Sequence, residues 1–326
     1  MAVLVTGGAG YIGSVTVRAL LTSGEKVFVL DDLSTGRPET ADLLSGAGFI
    51  KGDFADRRLL AELFDRESID AVLHFAALTL VAESVERPLD YFRANVSKTL
   101  DLLEAMTSHR IPHFVFSSSA ATFGIAEVIP IDEEHPQRPI NPYGWSKKAV
   151  EDWLPQIRKV GGPAYIGLRY FNAAGASADG LLGEVHSPES HLIPNVLRAA
   201  LDGSALPIYG TDYPTTDGTC ERDFIHVEDL AAAHLLALQA LRRGHQSGFY
   251  NLGNGQAHSI RHVVETARAV TGRDIKVVES ARRPGDPPVL VASSARIKSD
   301  LGWLPKREAL DLIIADAWRF ACAPRR

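Results

Sequence analysis

The 326-residue sequence contains only two cysteines, Cys220 and Cys322, too few for a disulfide framework or a four-thiolate zinc site. It also lacks a basic excess: 34 Lys and Arg face 40 Asp and Glu, for a formal net charge of -6. That balance does not grip a phosphate backbone, so no nucleic acid partner is expected. Long hydrophobic runs are missing too. The most apolar window, residues 230–241, carries His234 and Gln239 and is too short for a bilayer, so no membrane partner is expected either. The chain starts directly on the strand-like Ala2-Val3-Leu4-Val5-Thr6 with no basic-then-apolar leader, so no secretory signal is read and a cytoplasmic location is expected. Repeats and low-complexity tracts are absent. What remains is 45% hydrophobic and 23% charged, the composition of a folded chain with room for one large core or two modest ones.

Short β-branched runs at 3–6, 26–30, 48–51, 71–75, 113–117 and 164–169 alternate with helical patterns at 12–22, 57–66, 91–109 and 145–159. This alternation predicts an α/β fold with a doubly wound parallel sheet of the Rossmann type, whose ligands lie beyond the carboxyl ends of the strands. After residue 170 the pattern loosens into Gly-, Ala- and Ser-rich sequence at 172–188 and Pro-, Asp- and Thr-rich sequence at 209–218. Helical patterns return at 192–202, 227–241, 259–271 and 308–320. The expected division is a dinucleotide-binding domain over 1–170 and a smaller α+β domain over 171–326, with some later segments returning to the first.

The first strand runs into Gly7-Gly8-Ala9-Gly10-Tyr11-Ile12-Gly13 and then a helix. Gly7, Gly10 and Gly13 let the backbone turn sharply and approach a pyrophosphate, which the helix N-terminus attracts. The second strand ends in Asp31-Asp32, 18 residues after Gly13. A carboxylate there accepts hydrogen bonds from ribose hydroxyls and repels a 2′-phosphate, which favours NAD over NADP. Asp53, in Gly52-Asp53-Phe54 after the third strand, is placed to meet the adenine amino group, although Gly-Asp is also ordinary turn chemistry.

Tyr143 and Lys147 stand four residues apart at a helix start and share a face. An ammonium beside a phenol favours phenolate, as a general base for a hydroxyl requires. Ser117-Ser118-Ser119 closes the fifth strand, and a hydroxyl there can bond the same substrate oxygen. Other features have plainer readings. His258 and His262 have metal-binding spacing but no third ligand in sequence, so no metal is expected. Asp132-Glu133-Glu134 lies between Pro130 and Pro136 and reads as a solvated loop. Phe92, Val96, Leu100, Leu103 and Met106 form one apolar helical stripe, and Val150, Trp153, Leu154 and Ile157 another, which Pro155 should kink.

Five segments together resemble the extended short-chain dehydrogenase/reductase family: the glycine loop with Thr6, His74-Phe75-Ala76-Ala77, Ser117-Ser118-Ser119, Tyr143 to Lys147, and Leu168-Arg169-Tyr170-Phe171-Asn172. Residues 191–194, 208–214, 217–230 and 250–253 are similar to the UDP-glucose (UDP-galactose) 4-epimerases within it. The resemblance implies tightly held NAD, with Gly7, Gly10, Tyr11, Ile12, Gly13, Asp31, Asp32, Asp53, Phe54, Phe75, Ala76, Ala77, Asn95, Ser117, Tyr143, Lys147 and Tyr170 around it. It implies that Tyr143 is the base at the sugar 4-hydroxyl, that Lys147 tunes it and orients the nicotinamide ribose, and that Ser119 bonds the reacting oxygen. The C4 hydride would pass to the cofactor and return to the opposite face of a 4-keto sugar. It further implies UDP-sugar contacts from Ser119, Tyr143, Asn172, His191, Leu192, Tyr209, Arg222, Arg283, Asp286 and Leu290, with the two arginines at the diphosphate. Core packing accounts for both apolar stripes, and the resemblance implies that the two helices carrying them form a homodimer interface.

Three positions depart from the family pattern. Thr79 stands where a cofactor-contacting Lys is common, Phe123 where Tyr is common, and Leu290 where Tyr is common in glucose-only members. A dehydratase would carry an acidic pair where Ala120-Ala121 follow Ser119. The alternatives left are a 4-epimerase of another UDP-sugar (N-acetylhexosamine, glucuronate or pentose) and a non-catalytic NAD-binding regulator, which would typically lose Tyr143 or Lys147.

Overall fold

Seven parallel strands lie side by side in the order Gly248–Leu252, Ala164–Tyr170, His113–Ser119, Ile69–His74, Ala2–Thr6, Lys26–Asp31 and Gly48–Lys51. The computed structural model describes residues 1–283 and 286–323. Central strands such as Ala2–Thr6 and Ile69–His74 are buried on both faces, which is why they read as continuous apolar runs. Alternate side chains separate cleanly. Val3, Val5, Val27, Val29 and Leu73 enter a core with the helices Tyr11–Thr22 and Val227–Arg242. Ala2, Leu4, Phe28, Leu30 and Val72 enter the opposite core with Arg57–Arg66, Lys98–Ser108 and Pro142–Lys159.

A third core lies under the helices Leu192–Asp202, Ile260–Thr271 and Leu310–Cys322. Short pairings supplement it: Asn172–Ala174 with Phe224–His226, Leu206–Tyr209 with Val277–Ser280, and Glu221–Arg222 between His258–Ser259 and Val289–Leu290. Two later segments cross the expected division at 170. Strand Gly248–Leu252 extends the main sheet, and helix Val227–Arg242 packs beside Tyr11–Thr22 on one face. The strand's five residues are too few to show a period in sequence.

Other expectations are adjusted. The helix expected at 91–109 is three pieces, Pro88–Phe92, a π-turn at Arg93–Ser97, and Lys98–Ser108. The wider turn carries Asn95 inward, where it is 2% exposed. The helix expected at 145–159 begins earlier, at Pro142, because Asn141 accepts the Gly144 N–H at 2.8 Å and Pro142 suits the first turn. It continues through Pro155 to Lys159. Glu133 is not solvated. Its Oε1 accepts the Asn251 N–H at 2.8 Å along the open edge of the sheet, and burial pushes its carboxyl up. No described helix is long and apolar enough to cross a membrane.

Candidate active site

The glycine loop is closed by its own backbone. A Cβ on Gly13 would sit 2.2 Å from the Gly7 carbonyl oxygen, and one on Gly7, whose φ is +72°, would sit 2.5 Å from the Ala76 nitrogen. Gly10 precedes helix Tyr11–Thr22, which has no side-chain cap and no acidic residue in its first turn. Its first N–H groups are therefore available to an anion. The Tyr11 hydroxyl donates to the Gly175 carbonyl at 2.7 Å, tying the loop to the second half of the chain, while Ile12 packs into the core. Asp31 accepts the Ala9 N–H at 2.9 Å on one oxygen and the Leu33 N–H at 2.9 Å on the other. Burial raises its pKa against those bonds. Asp32 is exposed and accepts the Ser34 N–H.

Next along the sheet, Phe75 and Ala76 both donate backbone N–H groups to the Thr6 carbonyl, with half-buried Ala77 following. The Asn95 amide is fully occupied: Oδ1 accepts from Leu78 N at 2.8 Å, and Nδ2 donates to Leu78 O and Ser146 Oγ. Asp53 meets a partner the sequence did not suggest, Lys98, at 2.6 Å. Phe54 packs edge-on to His74, 4.9 Å between centroids. The Tyr170 hydroxyl turns to His234 Nε2 at 2.5 Å, and His234 Nδ1 lies 2.8 Å from the Leu230 carbonyl. A carbonyl only accepts, so Nδ1 carries the proton and Tyr170 donates.

Tyr143, in the first turn of Pro142–Lys159, lies beside Ser119 at the end of the fifth strand. Burial raises its pKa, and the nearby Ser119 hydroxyl pulls it back. Ser119 Oγ accepts the Ala121 N–H at 3.1 Å, which leaves its own hydrogen to donate. Lys147 Nζ donates to the Ser117 carbonyl at 2.8 Å and stands 5.1 Å over the Phe116 ring. Burial lowers its pKa to about 7. Desolvation is the largest influence on both groups, raising the phenol and lowering the ammonium.

In the second half of the chain, Arg222 donates to the Glu221 and Pro287 carbonyls and lies 3.7 Å from Asp286. Arg283 stacks over the Tyr209 ring at 3.8 Å. Asn172 Nδ2 donates to the Asp223 carbonyl at 2.9 Å. Leu290 packs against a cluster that includes Phe123 and Phe171. His191 pairs with Glu184 at 2.6 Å, one residue before half-buried Leu192. The structure thus brings together Arg222 with Asp286, Arg283 with Tyr209, and Ser119 with Tyr143.

Residues 3–253 match the NAD dependent epimerase/dehydratase family. The chain belongs to that family. It is 50% identical over 321 residues to the UDP-glucose 4-epimerase of Halalkalibacterium halodurans, covering 98% of this chain and 95% of that one. Identity to the UDP-glucose 4-epimerase of Lactobacillus helveticus is 48%, over 98% and 97% of the two chains. The crystal structure of UDP-glucose 4-epimerase from Brucella ovis in complex with NAD matches with a TM-score of 0.94 at 45% identity, over 97% of each chain. That of Stenotrophomonas maltophila with bound NAD and formylated UDP-arabinopyranose matches at 0.95 and 38% identity, over 98% of this chain and 97% of the other.

Within this NAD dependent epimerase/dehydratase frame, the glycine loop fits a dinucleotide: only residues without a Cβ at Gly7 and Gly13 allow the loop to close this tightly, and the helix behind it supplies no anion of its own. Several residues around the cradle escaped the sequence reading. Glu151 and Arg169 form a buried ion pair at 2.8 Å, and Glu151 also receives Ser118 Oγ at 2.5 Å and Gln137 Nε2 at 2.7 Å. Glu151 lies one turn beyond Lys147 on the same helix, a signal that was visible in the spacing. Asp223 accepts the backbone N–H groups of Asn254, Gly255 and Ala292, fastening three segments at once. His74 bridges Thr6 and Thr99 beneath the cradle.

Proposed function

We propose that this chain converts UDP-galactose to UDP-glucose and back by inverting C4, with NAD held in the glycine cradle. The observation that carries the reading is the pairing of Ser119 with Tyr143 at the carboxyl end of the sheet, beside that cradle. When bound, NAD supplies a reversible hydride acceptor for C4 and a positive charge near the phenol. Tyr143 takes the proton of the 4-hydroxyl and gives it back. Ser119 donates its free hydrogen to the same oxygen. Lys147, with one of three donors spent on Ser117, offers the others to the nicotinamide ribose. Asp31 and Asp32 face the adenosine ribose and Asp53 the adenine. Arg222 and Arg283 hold the diphosphate, and Tyr209 and Asp286 the uridine. Asn172, His191, Leu192 and Leu290 border the sugar side.

On this reading, residues 1–170 with the returning strand Gly248–Leu252 make the cofactor half, and the rest of 171–326 the sugar-nucleotide half. Two copies pair through the helices around Pro88–Phe92 and Pro142–Lys159, which leave Leu89, Phe92, Trp145 and Trp153 exposed. Both cysteines are free, as suits the cytoplasm.

The test is proton NMR of the purified chain with UDP-galactose and no added cofactor. Formation of UDP-glucose toward a fixed ratio from either direction supports the reading. Activity only after adding NAD supports it with loose cofactor retention, Thr79 being the first position to change. No turnover in either case removes the hexose assignment and directs the same assay to UDP-N-acetylhexosamines, UDP-glucuronate and UDP-pentoses.

A further inference from the structure

Four side chains in the short segment Glu184-Val185-His186-Ser187-Pro188-Glu189-Ser190-His191 converge on one point. One ligand atom from each of Glu184, His186, Glu189 and His191 lies within 4.8 Å of every other. The histidine–carboxylate separations are 2.6 Å (His191 Nδ1 to Glu184 Oε1), 3.3 Å (His186 Nδ1 to Glu184 Oε1), 3.5 Å (His191 Nδ1 to Glu189 Oε1) and 3.7 Å (His186 Nδ1 to Glu189 Oε2). Four ligands about 2.0–2.1 Å from a tetrahedral ion stand about 3.4 Å from one another. The two distances to Glu189 run to different carboxylate oxygens, and the His–His and Glu–Glu pairs lie within 4.8 Å. The four groups therefore surround a point of the right size for one ion, with the 2.6 Å His191–Glu184 contact needing to open by under an ångström.

We propose that Glu184, His186, Glu189 and His191 form a structural site for one Zn²⁺ ion. A second observation points the same way. His186 Nδ1 is buried and makes no hydrogen bond, although Glu184 is near. A buried nitrogen with a carboxylate 3.3 Å away but no hydrogen bond to it is poorly satisfied, and a metal–nitrogen bond would satisfy it. The charges close as well: two neutral imidazoles and two carboxylates carry two negative charges, which one divalent cation neutralises. Nitrogen and oxygen donors in tetrahedral array suit zinc, while calcium and magnesium demand more ligands, all oxygen. The orientation of Glu189 is already set, because its Oε1 accepts the backbone N–H groups of Ser190 and His191.

Four protein ligands leave no open position, so the ion would brace the fold and take no part in chemistry. What it would brace is specific. His191 is the residue before helix Leu192–Asp202, which has no side-chain cap of its own. Fixing His191 to a loop eight residues long would set where that helix begins. The sequence had drawn attention to a different pair, His258 and His262; these stack on one another at 5.4 Å and have no part in the cluster of metal-ligating side chains found among the described residues.

The experiment uses the untagged full-length chain, metal content by mass spectrometry, and titration with Zn²⁺ and Co²⁺. The expected result is one zinc per chain, tetrahedral-type visible absorption on loading Co²⁺, and a thermal midpoint raised by Zn²⁺. His186→Gln and, independently, Glu189→Gln should each weaken binding by at least about tenfold, with circular dichroism confirming the fold. Absence of stoichiometric zinc together with no visible cobalt band would overturn the proposal and leave the cluster as two ion-paired imidazolium groups. Undiminished binding in both folded variants would do the same, since it would place the ion elsewhere.

Discussion

The Lys147 ammonium donates to the Ser117 carbonyl at 2.8 Å and so pins the helix carrying Tyr143 to the end of the strand carrying Ser119. This contact fixes geometry first and electrostatics second. With its charge buried and the pKa down to about 7, Lys147→Met should leave the chain folded, because an unfavourable buried cation gives way to an apolar side chain of similar length. Turnover and cofactor retention should both fall, since the remaining ammonium donors are lost. The ratio of absorbance at 260 and 280 nm on purification reads the cofactor. A variant with normal retention and normal turnover would remove Lys147 from the site.

Tyr143→Phe keeps the ring that packs edge-on to Tyr91 at 6.5 Å and removes only the hydroxyl. It should fold and hold NAD as before, yet turn over at least ~100-fold more slowly, the usual scale for a lost general base. Wild-type turnover would end the assignment of Tyr143 as the base.

Much of this arrangement was readable because it rests on local patterns. The strand-glycine-helix sequence at 3–22 and the i,i+4 pair Tyr143/Lys147 show themselves within one or two turns of chain. What was not readable depends on distant partners. Asp53 finds Lys98 across 45 positions, and Glu133 finds Asn251 across 118. The strand Gly248–Leu252 owes its place to pairing with Ala164–Tyr170, and no five-residue window announces that. The burial that raises the Tyr143 pKa is likewise a non-local property. Helical spacing reports that a cation is near, whereas burial, which dominates here, is set by the whole fold.

Glu151 and Arg169 offer a third test, because both are nearly inaccessible and share two parallel bonds, Nε to Oε1 and Nη2 to Oε2. Removing one partner strands a buried charge at a cost of about 3–5 kcal/mol. Arg169→Met should therefore lower the denaturation midpoint sharply, and the double change with Glu151→Gln should recover much of the loss. A single variant within about 1 kcal/mol of the parent would show that the pair is hydrated and does not support the end of the strand at Ser118.

Gly13→Ala tests the cradle. The added Cβ would meet the Gly7 carbonyl at 2.2 Å, a rigid backbone contact that cannot yield without opening the loop. Cofactor should be lost on purification, with melting lowered relative to the parent. Full cofactor content would mean the loop relaxes in a way the packing does not suggest.

Acid should destabilise the fold through its buried histidines, and the direction follows from their pKa values. Burial lowers His234 to about 4, and burial with the nearby Lys147 charge lowers His74 to about 3. Above pH ~7.5 both are neutral whether folded or not, so neither contributes a slope. Below that, the unfolded chain takes up protons that the folded chain refuses, and stability falls as pH drops toward 4, at about 1.4 kcal/mol per pH unit for each group. His234→Gln keeps an acceptor for the Tyr170 hydroxyl but cannot titrate. The variant should be less stable at pH 7.5, and its deficit against the parent should shrink steadily between pH 6 and 4.5 in chemical denaturation. A deficit that stays constant over that range would mean His234 protonates as readily in the folded chain as in the unfolded one.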